Sequence, residues 1–204
     1  MAAILEKLQN TVIAGIVLLI VILVIVGATV GTVSFGHDWG AFLLRYLHIL
    51  AGIMWIGLLY YFNFVQIPSM PKIPDEQKPA IGKVIAPAAL FWFRWAAMAT
   101  FIIGLLLALM NGYLLDAILL GFTDNGASTP IGIGMWLGSI MWFNVWFVIW
   151  PNQKRALGIV QADADTKKKS ARTAMLFSRI NTLLSIPMLY CMVAQSHGGF
   201  FAIA

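Results

Sequence analysis

The sequence has 204 residues, 61% of them hydrophobic and only 10% charged, with a mean hydropathy of +0.88. A soluble domain usually carries about a quarter of its residues as charges, and a chain this poor in them cannot cover its apolar surface in water. These figures exclude an ordinary soluble domain and predict an all-α helical bundle solvated by the lipid bilayer, with the length fitting one membrane domain over residues 1–204. The net charge of +5 is assigned to membrane topology, so no nucleic-acid partner is expected. Cys191 is the single cysteine, which leaves no intrachain disulfide and no CxxCH haem-attachment motif.

Five apolar segments reach the length that about 30 Å of hydrocarbon requires. They cover approximately residues 11–35, 41–66, 85–112, 131–150 and 174–195. The first is too long for the core of a secretory signal and reads as a retained span. Lys7 precedes it; the linker between the second and third spans carries Lys72, Lys78 and Lys83. The linker between the fourth and fifth carries Lys154, Arg155 and Lys167 to Lys169, with Arg172 just beyond. Ten of the thirteen basic residues therefore fall on alternate linkers, the pattern of a five-span protein with a cytoplasmic amino terminus and a periplasmic carboxyl terminus. The expected location is a bacterial inner membrane.

Linker chemistry differs from end to end. Pro68, Pro71, Pro74 and Pro79 predict a stiff, non-helical connection over 68–84. Residues 114–122 are apolar but too short to span, and are placed at the outer interface before a Thr123-Asp124-Asn125-Gly126 turn. The charged blocks after Pro151 are expected to continue one or both flanking helices beyond the lipid.

None of the eight acidic residues falls within a span, which argues against a pump built on a membrane carboxylate. The ionisable residues inside spans are Arg45, His48, Arg94 and Arg179. Arg94 and Arg179 either reach out to lipid phosphates or gather an acidic group such as a haem propionate. Arg45, His48, Gly52 and Trp55 share one helix face. Gly52 leaves space for a flat ring there, and Trp55 offers a wall. A neutral imidazole at this depth is either an axial ligand for haem iron or a hydrogen-bond donor to another helix. His37 and His197 both lie toward the outer side, and either would complete a pair of axial ligands. Trp92, Trp95, Trp136, Trp142, Trp146 and Trp150 line a cofactor or, as in most membrane proteins, belong to interface belts and helix packing. Gly27 with Gly31 and Gly134 with Gly138 fit close helix contacts, and Asn144 and Asn181 fit interhelical hydrogen bonds.

The segment from Leu43 through Arg45, His48, Gly52 and Trp55 to Gly57 resembles the arginine–histidine helix of bacterial membrane-bound urate hydroxylase, the urate oxidase N-terminal family. Phe91-Trp92-Phe93-Arg94-Trp95 resembles that family's aromatic–basic–tryptophan segment. The stretch from Asn144-Val145 through Pro151 to Gln153-Lys154 resembles its Asn-Val-x-x-Val-Ile-x-Pro-x-Gln-Lys pattern, and the last span follows more loosely as far as His197. The family's His-Asn-Asn-Tyr motif reads here Ile180-Asn181-Thr182-Leu183. The resemblance implies a membrane domain coupled to a cytochrome c and associated with urate oxidation.

Two functional expectations come out of this. One is a redox membrane protein holding haem b through His48, with Arg45, Arg94, Trp95, Asn144, Arg179 and His197 around the cofactor, and a separate cytochrome c or quinone as electron partner. The other is a non-catalytic membrane subunit that forms a homo-oligomer or packs into a larger complex. Solute transport, a third class, lacks any broken-helix signature. Whether the chain is an enzyme stays open at this level.

Overall fold

The computed structural model describes residues 2–31 and 35–197. Regular structure among them is helical throughout, and five helices are long and apolar enough to cross a membrane. By internal contacts the chain divides into two units, Met1–Gly40 and Ala41–Ala204.

In the first unit a helical turn, Ala2–Leu5, precedes α1, Leu8–Val30. Apolar residues run around the whole of α1 and none of its side chains is buried, the pattern of a helix wetted by hydrocarbon on every side. It stops at Gly31, whose φ of 147° is open to glycine and strained for other residues. The predicted extension of this span to Phe35 passes through residues outside those described.

The remaining helices are α2 (His37–Lys72), α3 (Lys78–Met110), the short α4 (Leu114–Ile118), α5 (Thr129–Ala156) and α6 (Ala164–His197). The four long ones have 36, 33, 28 and 34 residues, more than the roughly 20 that hydrocarbon needs. As expected from the charged blocks, both α5 and α6 run on into the linker between them. Asp163 caps α6: its carboxylate accepts from the Thr166 amide at 2.8 Å and the Thr166 hydroxyl at 2.7 Å. Those bonds hold its pKa below the ordinary carboxylate value.

The proline-rich linker is a correction. Only residues 73–77 are non-helical; Pro68 and Pro71 lie in the continuation of α2, and Pro79 lies in the first turn of α3. Helix continues through Pro68 because the chain widens ahead of it, Pro71 sits in a 3₁₀ turn, and Pro79 needs no accommodation in a first turn. Three π-helical segments interrupt the long helices, at Tyr61–Gln66, Ile81–Ile85 and Asn144–Ile149. Each gives way to α-helix at a residue followed directly by proline: Pro68, Pro87 and Pro151. Proline removes one N–H and crowds the carbonyl four residues back, and a wider turn relieves both.

α4 packs on the start of α5, where a Cβ on Gly132 would collide with the Ala117 carbonyl. The expected turn after it forms, with Asn125 and Gly126 both at positive φ. Gly134 faces α6, where a Cβ would lie 3.3 Å from the Met192 side chain; Gly138 has nothing within 4 Å.

The buried face of α6 is unusually polar for a helix long and apolar enough to cross a membrane. Ser170, Ala174, Ser178, Asn181, Ser185, Met188, Cys191 and Ala194 are its buried residues, three or four apart, so they form one stripe. Small residues let neighbouring backbones approach, and each polar one needs a partner across the gap. Asn144 donates to the Asn181 side-chain oxygen at 2.8 Å, and Asn181 donates to the Met141 carbonyl at 3.0 Å. Asn63 donates to the Ser178 hydroxyl at 2.8 Å, and the Tyr60 and Ser185 hydroxyls are 3.0 Å apart. This seam ties α2 and α5 to α6. The apolar core beside it includes Trp55, Leu59, Phe62, Phe93, Ala97, Met141 and Val145.

Asn181→Ala leaves the Asn144 amide without its acceptor in the core. It is expected to lower stability by about 1–2 kcal/mol, seen as an earlier midpoint when the protein is unfolded in mixed detergent. An unshifted midpoint would mean that the seam contributes nothing.

Candidate functional site

His48 is held by a specific contact with α3. Its Nδ1 lies 2.9 Å from the Thr100 carbonyl oxygen. A carbonyl only accepts, so Nδ1 carries the proton of the neutral ring and Nε2 keeps its lone pair. Nε2 has no hydrogen-bond partner among the described residues. The Thr100 carbonyl is reachable because of Gly104, one turn further on. A Cβ at Gly104 would sit 2.9 Å from His48 Cε1 and 3.1 Å from Nδ1, so any larger residue there would make the ring shift. The Thr100 hydroxyl turns back to the Ala96 carbonyl at 2.8 Å and does not compete for the imidazole.

The neighbours expected on the His48 face are used differently. Beside Gly52 stands the Thr100 methyl, 3.9 Å from where a Cβ would be, so the glycine serves helix packing. Trp55 is only 2% exposed and belongs to the apolar core. Its Nε1 is buried without a partner among the described residues. Arg45 is exposed and close enough to act on Tyr113. Burial pushes that phenol above its ordinary pKa while the Arg45 charge pulls it down.

The other predicted residues are dispersed. The Arg94 guanidinium carbon lies 3.4 Å from the centre of the Trp150 ring on α5. Trp95 is half exposed and meets Trp146 edge-on at 5.4 Å, while Phe101 stacks on Trp142 at 4.3 Å. The aromatic residues of α3 and α5 thus form successive rungs between the two helices. Asn144 is committed to Asn181. Arg179 is exposed, and His197 is exposed with its Nδ1 3.2 Å from the Val193 carbonyl of its own helix. His37 opens α2 with Nδ1 3.4 Å from the Asp38 carboxylate. At about 100° per residue, Arg94 stands roughly 120° around α3 from Thr100. His48 and Arg94 therefore approach α3 from different sides, and the predicted cluster separates into two places.

The fourth and fifth long helices carry a recognisable signature. Residues 117–203 match the family model described as urate oxidase N-terminal. The match takes in Asn144, Trp150, Arg179 and His197, and hence the Asn144–Asn181 seam. It does not extend to Arg45, His48, Gly52, Trp55, Arg94 or Trp95, so it covers the third and fourth of the four resembling stretches and neither of the first two. No curated protein and no solved structure matches the chain.

Sequence reasoning overlooked Thr100, Gly104 and the Trp150 partnership. Small residues at 96, 97, 100 and 104 do mark one face of α3, the only advance signal for the first two. Gly104→Ala is expected to force the imidazole off the Thr100 carbonyl and cost about 1–3 kcal/mol. Adding His48→Ala should recover much of that loss in thermal unfolding of the purified protein. Additive losses would show that ring and glycine do not touch.

Proposed function

We propose that this chain is a membrane redox subunit related to urate-hydroxylating membrane proteins, with His48 Nε2 as the axial ligand of haem b. The carrying observation is the state of the imidazole. Its Nδ1 is bound to a backbone carbonyl, which fixes ring orientation and tautomer and raises the basicity of the other nitrogen, the arrangement that ligating histidines use. The match of residues 117–203 to the urate oxidase N-terminal family supports the same direction.

The donor set fits one axial position. Haem would supply a one-electron couple there. This chain's own part is to hold Nε2 bare and aligned: the Thr100 carbonyl accepts from Nδ1–H, Gly104 gives the ring its seat, and Arg45, one turn earlier on the same face of α2, offers a positive charge to an acidic edge. His197 is the candidate for a second ligand; His37 opens the same helix as His48, eleven residues earlier, too far along it to share an iron with that ring. In this reading the five long helices span a bacterial inner membrane, with the amino terminus cytoplasmic and the carboxyl terminus periplasmic, as the alternation of lysine and arginine supports. Electrons pass to a separate cytochrome c or to quinone.

A second reading has one observation in its favour. The Thr100 methyl fills the space beside Gly52, and a histidine bonded across to a neighbouring helix is also a structural pin. In that case the chain is a non-catalytic subunit of a larger membrane complex. Absorption spectra of the protein, as purified and after addition of haemin, separate the two. A Soret band that shifts on reduction and is lost in His48→Ala is expected. If haemin restores no band, the redox reading fails and the structural one stands.

A further inference from the structure

Arg94 is permanently charged, lies in an apolar stretch, and has no acidic neighbour to answer it. α3 and α5 carry no Asp or Glu along their whole lengths. Neither Arg94 nor Lys154 takes part in an ion pair among the described residues. The guanidinium carbon lies over the Trp150 ring, 3.4 Å from its centre, and Lys154 Nζ is 5.7 Å from the same centre. The two cations are therefore no more than about 9 Å apart. Stacking on an indole offsets part of the cost of desolvating a cation, but it satisfies none of the N–H groups on the guanidinium edge. Nε of Arg94 is buried and has no hydrogen-bond partner among the described residues.

Position supplies the rest. Trp150 opens the last α-helical segment of α5, Trp150–Ala156, whose final turn carries Lys154 and Arg155. A tryptophan followed within a turn by basic residues marks the depth of lipid headgroups. At that depth the planar fork of an arginine edge matches two oxygens of a phosphate, and a lysine adds a point charge. Asn152, between them in sequence, gives one amide N–H to the Val148 carbonyl at 2.8 Å.

We propose that Arg94, Trp150 and Lys154 form a site for the phosphate group of an anionic molecule, filled in the bilayer by the headgroup of an anionic phospholipid. The indole holds the guanidinium in place, so the site differs from a basic side chain reaching freely to the surface. Because Arg94 faces a different side of α3 from Thr100, this site stands apart from His48, and either assignment can fail without the other.

The test is lipid retention by the full-length protein in native mass spectrometry, titrated with phosphatidylglycerol, with phosphatidylcholine, and with inorganic phosphate as competitor. Phosphatidylglycerol should bind about tenfold more tightly than phosphatidylcholine, and Arg94→Gln with Lys154→Gln should erase that preference, the loss expected for charge-assisted contacts. Lys154→Gln alone, at a half-buried position near the helix end, should weaken it in part and keeps the test readable if Arg94 variants fold poorly. Displacement of the lipid by inorganic phosphate would uphold the phosphate chemistry and assign it to a soluble ester. Equal retention of both lipids, or a preference that survives the double substitution, would overturn the proposal.

Discussion

A polar side chain on a helix this apolar has to find its partner on another helix, and the contact of His48 with Thr100 is where that constraint has the largest consequences. The acceptor is a carbonyl already engaged in the α3 backbone ladder, so the imidazole uses its second lone pair. Reaching it requires a gap in the side-chain wall, and Gly104 provides one. Donor, acceptor and gap come from positions far apart in the sequence, and removing any one of them frees the ring. The same bond determines which nitrogen stays basic, and every chemical reading of the site starts from that.

The constraint recurs along α6. Its stripe of serines and one asparagine would be costly against lipid, and it is stable because Tyr60, Asn63 and Asn144 arrive from two other helices. Hydrogen bonds of this kind contribute modestly one by one in membranes, but they specify which face of each helix turns inward. The three π-helical turns belong to the same logic of backbone satisfaction. Proline enters each of α2, α3 and α5, and a wider turn ahead of it keeps the helix continuous, so these irregularities have a local chemical cause and need no functional one.

Much of the architecture was legible because hydrocarbon imposes simple rules on composition and length. Five apolar stretches became five long helices, the charged blocks after Pro151 continued two of them, and Asn144 found Asn181. Helix ends were read less well: runs of proline suggested a break after Pro68, whereas the chain absorbed the rings in a π-turn and a 3₁₀ turn. At the site, the pattern Arg45, His48, Gly52, Trp55 fixed a shared face but not what that face meets. Gly52 turned out to seat a threonine methyl, and the glycine that matters for the imidazole lies on another helix. Residues on one helix announce their spacing; contacts between helices depend on rotation and crossing, which no single segment encodes. Arg94 shows the same limit, since nothing near it in sequence pointed to Trp150.

The account rests on the bare nitrogen of His48, and nitrogen NMR of histidine-labelled protein reads it directly, with His48 assigned by difference against His48→Gln. At neutral pH the ring should carry its proton on Nδ1, and added haemin should perturb the Nε2 signal first. A proton found on Nε2, or an Nε2 resonance indifferent to haemin, would contradict it.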